Sequence, residues 1–327
     1  MKNENMNMEG KDLLIAIAEM YYDQNMTQQK IAQKLNMSRS LVSKMLIKAR
    51  STGVVEVIIH REPTRPFKDL EDNLQEKLKL KYVKVVDNGN SPADKSNVAI
   101  EAGIYLASRL PSCKNVIVSS GRTTRDIANA FQTPTSFPNV TFVPVSGGVG
   151  EIQWDIDSNM ICGKFAQQCG ADYMQIHAPI TVDSYEAKKM LMDQRFIKNV
   201  MDKAQNAEIA LVGIGSKYNR DNFHRFLEQN GAPDDFFGDE THIIGDFCYN
   251  FFDKNGDVVD CKWNECLIGL NLDQIRDIPE VICVPNSIDK AKNTYIAAKS
   301  GLINTLITDV RVAKAILREY SRDLFNF

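Results

Sequence analysis

Four short turns in this sequence carry residues whose types and spacing could bind a small anion. Each turn lies at the end of an apolar run, and the four are SSGRTT at 119–124, VSGGVGE at 145–151, LVGIGS at 211–216 and IIGD at 243–246. In the first turn, Gly121 permits close backbone approach, and Thr123 and Thr124 supply hydroxyl groups. A helix that began there would direct its N–H groups at the same point, which suits a phosphate. Helix capping alone would explain the same residues.

The other three turns could contribute to the same site or merely reverse the chain. The second contains the adjacent glycines Gly147 and Gly148, the third contains Gly213, and the fourth ends in Asp246. Turns after buried parallel strands lie at the carboxyl edge of a sheet, where α/β proteins bind ligands. Each glycine also suits an ordinary tight turn, so residue type alone does not decide.

Basic residues are concentrated near the N-terminus. The whole chain has a formal net charge of −3, yet residues 27–61 contain one acid, Glu56, and the basic residues Lys30, Lys34, Arg39, Lys44, Lys48, Arg50 and Arg61. Such a basic surface suits a polyanion. A solvated helix surface could have the same composition, so spacing has to distinguish the two.

The spacing in this basic segment predicts a pair of helices joined by a short turn. Apolar residues recur at helical intervals over 27–35 and again over 38–50, with Thr27 and Ser38 as N-caps. An amphipathic helix is also predicted over 11–24.

The early outward face of the last of these helices predicts DNA contact. Its polar residues are Arg39, Ser40, Ser43 and Lys44. A short helix, a tight turn and a second helix that exposes such side chains form the arrangement that enters a major groove. Residues 54–60 alternate as a strand and could form a wing beside the helices. An ordinary basic three-helix bundle is the alternative.

Residues 21–59, YYDQNMTQQKIAQKLNMSRSLVSKMLIKARSTGVVEVII, closely resemble the N-terminal domain of the SorC family of sugar-responsive bacterial transcription factors. The resemblance implies that the residues at operator DNA are Gln28, Ser38, Arg39, Ser43 and Lys44. Arg39 and Lys44 could pair with guanine edges or phosphates, and the others could donate to phosphate oxygens or adenine. It also implies a homo-oligomer, either a tetramer or a dimer on palindromic half-sites.

Beyond this segment the sequence predicts a linker and a large α/β domain. REPTRPF disfavours regular structure, which gives a DNA-binding domain at 1–60, a linker at 61–68 and a second domain at 69–327. Apolar runs there alternate with helical patterns, as in a parallel sheet. The predicted strands are YVKVVD, NVIVSS, VTFVPVS, AEIALVGIG, EVICVP and INTLITD. Helices are predicted over 94–110, from 124, near 222–229, over 288–300 and from 310.

The order of the four turns, then FFDKNGDVV, IGLNLDQIRDIPEV, Lys290 and INTLITD, resembles the effector domain of the SorC family along its full length. The resemblance implies a Rossmann-like fold similar to ribose-phosphate isomerase and glucosamine-phosphate deaminase, and a phosphorylated sugar or related metabolite as effector. It places Gly121 and Thr123 at the phosphate with Gly147 and Gly148 beside them. Asp246 would then accept hydrogen bonds from sugar hydroxyls, and Lys290 would pair with phosphate.

The sequence departs from the family pattern at three places. Arg122 replaces a small residue and adds charge to the anion site. Ser146 stands where one relative has a lysine able to form a Schiff base, so covalent capture is not expected. Pro285 and Asn286 replace a glycine pair before Lys290 and must reshape that loop.

Two other functions remain open. A sugar-phosphate isomerase or deaminase fused to a DNA-binding module would need a general base, for which Asp246 and His242 are the candidates. A DNA-binding protein that has lost its sensor function would explain the altered loop at Pro285 and Asn286. Regulation without turnover is the function that we expect, because fold alone does not transfer catalysis.

Composition sets the remaining expectations. A length of 327 residues suggests about two domains. Residues 1–12 contain no apolar signal, and the seven cysteines are widely and irregularly spaced, so we expect a cytoplasmic protein with reduced thiols. No apolar run approaches the roughly 20 residues of a membrane span. Cys261 and Cys266 are the closest cysteine pair but lack partners for a metal site, and no cofactor is expected.

Overall fold

The chain divides into two compact units at the junction of Arg65 and Pro66. The structure, a computed structural model, describes residues 10–24, 26–55, 66–88, 96–150, 155–216, 234–237 and 240–325. Most of the predicted wing strand, the predicted linker up to Arg65 and the predicted helix at 222–229 lie outside these residues.

In the first unit, called here the three-helix unit, the described residues form α1 (Gly10–Tyr22), α2 (Gln28–Lys34) and α3 (Arg39–Ser51). All three predicted helices are confirmed. Ile17, Ile31, Val42 and Leu46 form their shared core, one apolar stripe from each helix. Thr27 and Ser38 are the N-caps, and their hydroxyl oxygens accept the N–H groups of Lys30 and Leu41 at 3.3 and 3.2 Å.

A left-handed residue makes the turn between α2 and α3. Asn36 has φ 52°, and the N–H of Met37 donates to the carbonyl of Ala32 at 2.8 Å. This is the bond pattern that closes a helix when the residue after its C-cap is left-handed, a position usually filled by glycine or asparagine. Asn36 therefore fixes the direction in which α3 leaves α2.

In the second unit, called here the sheet unit, the described residues include seven strands of one parallel sheet. They are β1 (Tyr82–Val86), β2 (Asn115–Val118), β3 (Thr141–Pro144), β4 (Asp172–Tyr173), β5 (Ile209–Val212), β8 (Glu280–Cys283) and β9 (Thr305–Asp309). Their order across the sheet is β1-β9-β8-β5-β2-β3-β4. β6 (Gly245–Phe247) and β7 (Asn250–Phe252) form a separate antiparallel hairpin. The six predicted strands are confirmed, and the α/β class with them.

Helices cover both faces of this sheet. They are α4 (Lys68–Leu78), α5 (Ser96–Arg109), α6 (Arg122–Ala130), α7 (Ser158–Cys169), α8 (Tyr185–Met192), α9 (Arg195–Gln205), α10 (Lys262–Cys266), α11 (Leu272–Arg276), α12 (Ala291–Lys299) and α13 (Val310–Phe325). On β2, Ile117 joins one core cluster whereas Val116 and Val118 join the other. Burial on both faces explains why the central strands β2 and β5 direct apolar side chains to both sides of the sheet.

Two helix boundaries differ from the predicted ones. α6 begins at Arg122 rather than Thr124, because Gly121 already serves as its N-cap. The helix predicted over 288–300 is a 3-10 turn at Ile288–Lys290 followed by α12. Among the residues that the structure describes, no helix is both long and apolar enough to span a membrane.

We predict that the stability of the α2–α3 pair depends on the left-handed backbone of Asn36. Asn36→Ala should destabilise the α2–α3 pair by about 1 kcal/mol, the cost of left-handed backbone for a residue with a Cβ and no local hydrogen bond. Asn36→Gly is the matched control and should relieve that strain. Hydrogen–deuterium exchange of peptides over 27–51 in the full chain measures the effect. Equal exchange in Asn36→Ala and the wild type would contradict the assignment.

Candidate functional site

The chain reverses its direction of winding between β2 and β5. These two strands are neighbours, but β2 leads through α6 to β3 on one side, and β5 precedes β8 on the other side. The loops that follow them therefore diverge and leave a crevice at their carboxyl ends, where open α/β sheets bind ligands. A cleft of about 690 Å3 lies there.

Seven of the ten residues predicted for effector binding line this cleft. They are Gly121, Arg122, Thr123, Thr124, Gly213, Asp246 and Lys290. They come from three loops after adjacent strands and from the β6–β7 hairpin. The topology thus brings together residues up to 169 positions apart in sequence (290 − 121 = 169).

Ser146, Gly147 and Gly148 are not among the residues that line the cleft. The N–H of Gly147 donates to Ile268 O at 2.8 Å, and that of Gly148 donates to Ala178 O at 2.9 Å. A Cβ on Gly147 would lie 2.3 Å from a backbone oxygen, so this glycine is required by close packing of the chain. Their turn follows β3, one strand beyond the crevice.

The first turn presents the start of α6 to the cleft. Gly121 has φ 134° and supplies no side-chain cap, and its own N–H donates to Ile156 O at 2.9 Å. The next N–H groups lie in the first turn of the helix, where the helix itself offers no acceptors. Thr123 and Thr124 are buried beside them, and the Thr124 hydroxyl donates to Gly121 O at 3.0 Å.

A second glycine of the LVGIGS turn holds Asp246 in place. A Cβ on Gly215 would lie 1.7 Å from Oδ1 of Asp246, so the carboxylate packs directly on the glycine backbone. The Gly215 N–H also donates to Asp246 O at 2.9 Å. The amide of buried Asn293 donates to Gly215 O at 2.6 Å and to Ile244 O at 3.3 Å. Our sequence analysis missed Gly215 and Asn293. The G-x-G spacing could have indicated the first, but no local signal indicates the second.

The β6–β7 hairpin carries two more lining residues that sequence analysis missed. Cys248 and Tyr249 form its turn with φ 51° and 65°, a conformation that favours glycine or asparagine. The amide of Asn250 donates to the carbonyl of Cys248 at 3.1 Å, and Nε1 of Trp263 donates to the carbonyl of Tyr249 at 2.7 Å. The Tyr249 N–H is hydrogen bonded to the Asp246 carboxylate. Backbone strain of this kind is common at functional sites.

The loop with the unusual Pro285 and Asn286 forms the remaining side of the cleft. Nζ of Lys290 donates to Oδ1 of Asn286 at 2.9 Å, and the Thr308 hydroxyl donates to Pro285 O at 2.9 Å. The Ser216 hydroxyl donates to Oδ2 of Asp289 at 2.7 Å. One of these bonds lies within the loop and the other two hold it to β9 and to the loop after β5, and Asn286 positions the ammonium group of Lys290.

The two arginines that line the cleft, Arg122 and Arg125, have different surroundings. Asp155 and Asp126 pair with Arg125 at 2.6 and 2.9 Å. Arg122 is exposed at the cleft.

Burial shifts the pKa values of the two charged residues at the centre of the cleft. Burial raises the pKa of Asp246 to about 6, although the hydrogen bond from the Tyr249 N–H and the charge of Lys290 act in the opposite direction. Burial lowers the pKa of Lys290, partly offset by Asp289 and Asp246. Burial therefore destabilises the charged forms of both groups in the folded protein.

The residues predicted at DNA lie on α2 and α3 of the three-helix unit. Four of them are exposed, namely Ser38, Arg39, Ser40 and Lys44, whereas Gln28 and Ser43 are half-buried. The Ser38 hydroxyl caps α3 and lies 3.0 Å from that of Ser40. All four charged residues of α3 are basic, so its outward face is cationic.

Comparison with known proteins places the chain among regulators. The family described as "Putative sugar-binding domain" matches residues 63–318. The transcriptional regulator LsrR of Escherichia coli O139:H28 is 30% identical over 305 residues, which cover 92% of this chain and 93% of the relative.

Two solved structures resemble this chain over most of its length. The full-length sorbitol operon regulator SorC of Klebsiella pneumoniae superposes with a TM-score of 0.76 at 27% identity, covering 95% of this chain and all of that one. A DeoR family transcriptional regulator of Listeria monocytogenes superposes with a TM-score of 0.67 at 26% identity, covering 77% and 99%.

We predict that Asp246 destabilises the free protein and that pH reveals this. Between pH values of about 4 and 6 the folded state binds more protons at Asp246 than the unfolded state, so stability falls as pH rises through that window. Asp246→Asn should therefore be more stable than the wild type at pH 7.5, by on the order of 2 kcal/mol. The advantage should vanish below about pH 4. Urea unfolding followed by tryptophan fluorescence measures both values.

Asp289→Asn is the matched control in the same cleft. Burial opposes ionisation of Asp289, but hydrogen bonds from Ser216 and Ser287 lower its pKa overall. Its ionised form therefore stabilises the fold above the ordinary aspartate pKa. Asp289→Asn should be less stable than the wild type at pH 7.5, with the difference lost in acid. The same sign for both variants would show that the two environments are misassigned.

Proposed function

The chain belongs to the SorC family of sugar-binding transcriptional regulators, and we propose that its cleft binds a phosphorylated sugar that controls binding of the three-helix unit to operator DNA. Its relatives are named transcriptional regulators, and the matched family is described as a sugar-binding domain, so the protein is a sugar-responsive DNA-binding regulator. Phosphate on the effector, the residues that bind it and the oligomeric form are parts of the proposal. The convergence of Gly121, Asp246 and Lys290 in one cleft carries it.

We propose that the effector's phosphate lies at the start of α6. The helix N-terminus, the Thr123 hydroxyl and the Lys290 ammonium would share its charge, and exposed Arg122 would add a second cation. Asp246 would accept hydrogen bonds from sugar hydroxyls. Hydrogen bonds to the ligand would replace the water that Asp246 and Lys290 lose on burial. Ligand binding would therefore offset the cost of desolvating these two groups.

We propose that α2 and α3 form a helix-turn-helix in which α3 enters the major groove. The cationic outward face of α3 and the fixed turn at Asn36 support this. The three-helix unit would be the DNA-binding domain at 1–60, joined by the linker at 61–68 to the effector domain at 69–327. A dimer or tetramer would present two such helices to a palindromic operator. The effector and operator DNA must then alter each other's affinity by the same factor.

The proposed DNA contacts predict that single substitutions on α3 weaken DNA binding or reduce its dependence on salt. Arg39→Ala should weaken binding to duplexes enriched from a random library by about 1–3 kcal/mol if it contacts a base, and Lys44→Ala should lower the salt slope by about one if it contacts phosphate. Fluorescence anisotropy at several salt concentrations measures both. Lys114→Ala, an exposed lysine of the sheet unit, is the control and should change neither value. Wild-type binding by both α3 variants would exclude α3 as the recognition helix.

The effector half predicts ligand stabilisation that depends on the cleft. A sugar phosphate at 100 times its Kd should stabilise the protein by about 2.7 kcal/mol. A thermal-shift panel of ribose 5-phosphate, glucose 6-phosphate, fructose 6-phosphate, their unphosphorylated sugars and inorganic phosphate tests this. Lys290→Ala and Thr123→Val should lose the shift.

Ser146→Ala is the matched control for that panel, because Ser146 belongs to a predicted turn outside the cleft lining, and it should keep the wild-type shift. The sugar phosphate should be recovered unchanged, since the isomerase or deaminase alternative would convert it. A panel without any shift would reject the proposed effector class.

A further inference from the structure

Two aliphatic side chains are exposed on the cationic helix α3. Ile47 is 65% exposed and Leu41 is 43% exposed, whereas Val42 and Leu46 of the same helix are buried in the unit's core. Leaving an isoleucine this exposed forgoes most of the free energy that its burial would contribute to folding. Both residues are therefore available to a partner of the three-helix unit.

Helical spacing places Ile47 in the middle of the outward face. Ser40, Lys44, Ile47 and Ser51 follow one another at intervals of four, three and four residues, which puts them on one stripe. Leu41 lies beside this stripe, three residues before Lys44. The apolar positions are thus continuous with the polar residues that we assign to DNA.

The charge around these side chains identifies the partner. α3 contains Arg39, Lys44, Lys48 and Arg50 and has no acidic residue. An apolar protein surface would have to desolvate these cations, whereas DNA phosphates neutralise them. Among the base edges of the major groove, the apolar group is the 5-methyl of thymine.

We propose that Ile47, with Leu41 beside it, contacts thymine methyl groups in the operator, so that thymine is required where the middle of α3 meets the bases. The inference rests on the proposed DNA binding and adds to it the base that the aliphatic residues select. Ile47 lies eight residues after Arg39, or about 12 Å along the helix. The thymine therefore lies about three to four base pairs from the base nearest Arg39.

Thymine-to-uracil exchange in the DNA tests the methyl contact directly, because uracil lacks the methyl and keeps every hydrogen-bonding group. Full-length protein first selects sites from a random 30-base-pair library. The enriched duplex is then made with thymine or deoxyuridine at each thymine in turn, and Kd is measured by anisotropy. We expect about fourfold weaker wild-type binding for each contacted methyl that is removed.

Substitution of Ile47 should abolish this discrimination. Ile47→Ala should bind the thymine and uracil duplexes equally, with the wild-type affinity for the uracil duplex, and Ile47→Val should discriminate as the wild type does. Ile15→Ala is the matched control, since Ile15 is an exposed isoleucine on α1 of the same unit, 38% exposed. It should leave the thymine-to-uracil ratio unchanged.

Three outcomes would overturn the proposal in different ways. If Ile47→Ala keeps the wild-type thymine-to-uracil ratio, Ile47 does not read the methyl. If Ile47→Ala instead lowers the oligomeric state in analytical ultracentrifugation and leaves that ratio unchanged, the face packs against a second copy. If the wild type enriches no sequence while sugar phosphates still shift its melting temperature, the proposed DNA binding fails, and the thymine contact fails with it.

Discussion

The contact between the Asp246 carboxylate and the backbone of Gly215 is the constraint on which the cleft depends. No side chain fits between them, so the loop after β5 and the β6–β7 hairpin must approach closely. Asn293 ties both segments together from α12, and Tyr249 donates its N–H to the carboxylate from the hairpin turn. A charged group held this rigidly can distinguish ligands by the position of a single hydroxyl, because it cannot move to accept a misplaced one.

The same rigidity has an energetic cost that the rest of the sheet unit must offset. Asp246 and Lys290 are both desolvated, and each alone would prefer water. The opposite charges of the two groups, and the hydrogen bond that the Lys290 ammonium donates to Asn286, recover part of this cost. Two continuous core clusters, one on each face of the sheet, supply the stability that lets such a site persist.

Periodicity and turn chemistry predicted the strands, the three N-terminal helices and the glycine turns, because these depend on neighbours in sequence. They could not place Ser146 and Gly147 outside the cleft lining, since that depends on the order of strands across the sheet. Sequence analysis missed Asn293 for the same reason, because its hydrogen-bond partners Ile244 and Gly215 lie 49 and 78 residues away in the chain. Prediction stopped where one segment had to be positioned against another that is distant in the chain.

The pairing of β1 with β9 has a consequence for the synthesis of the protein. Tyr82 pairs with Thr305, so the first strand of the sheet acquires its neighbour only after the ribosome has made residues 305–309. The last helix of the three-helix unit ends at Ser51, and the core shared by its three helices uses contacts among residues 13–46. In nascent chains the three-helix unit would therefore fold long before β9 pairs with β1 and completes the sheet. A partly translated chain would then carry the helix that we propose enters DNA without the cleft that we propose regulates it.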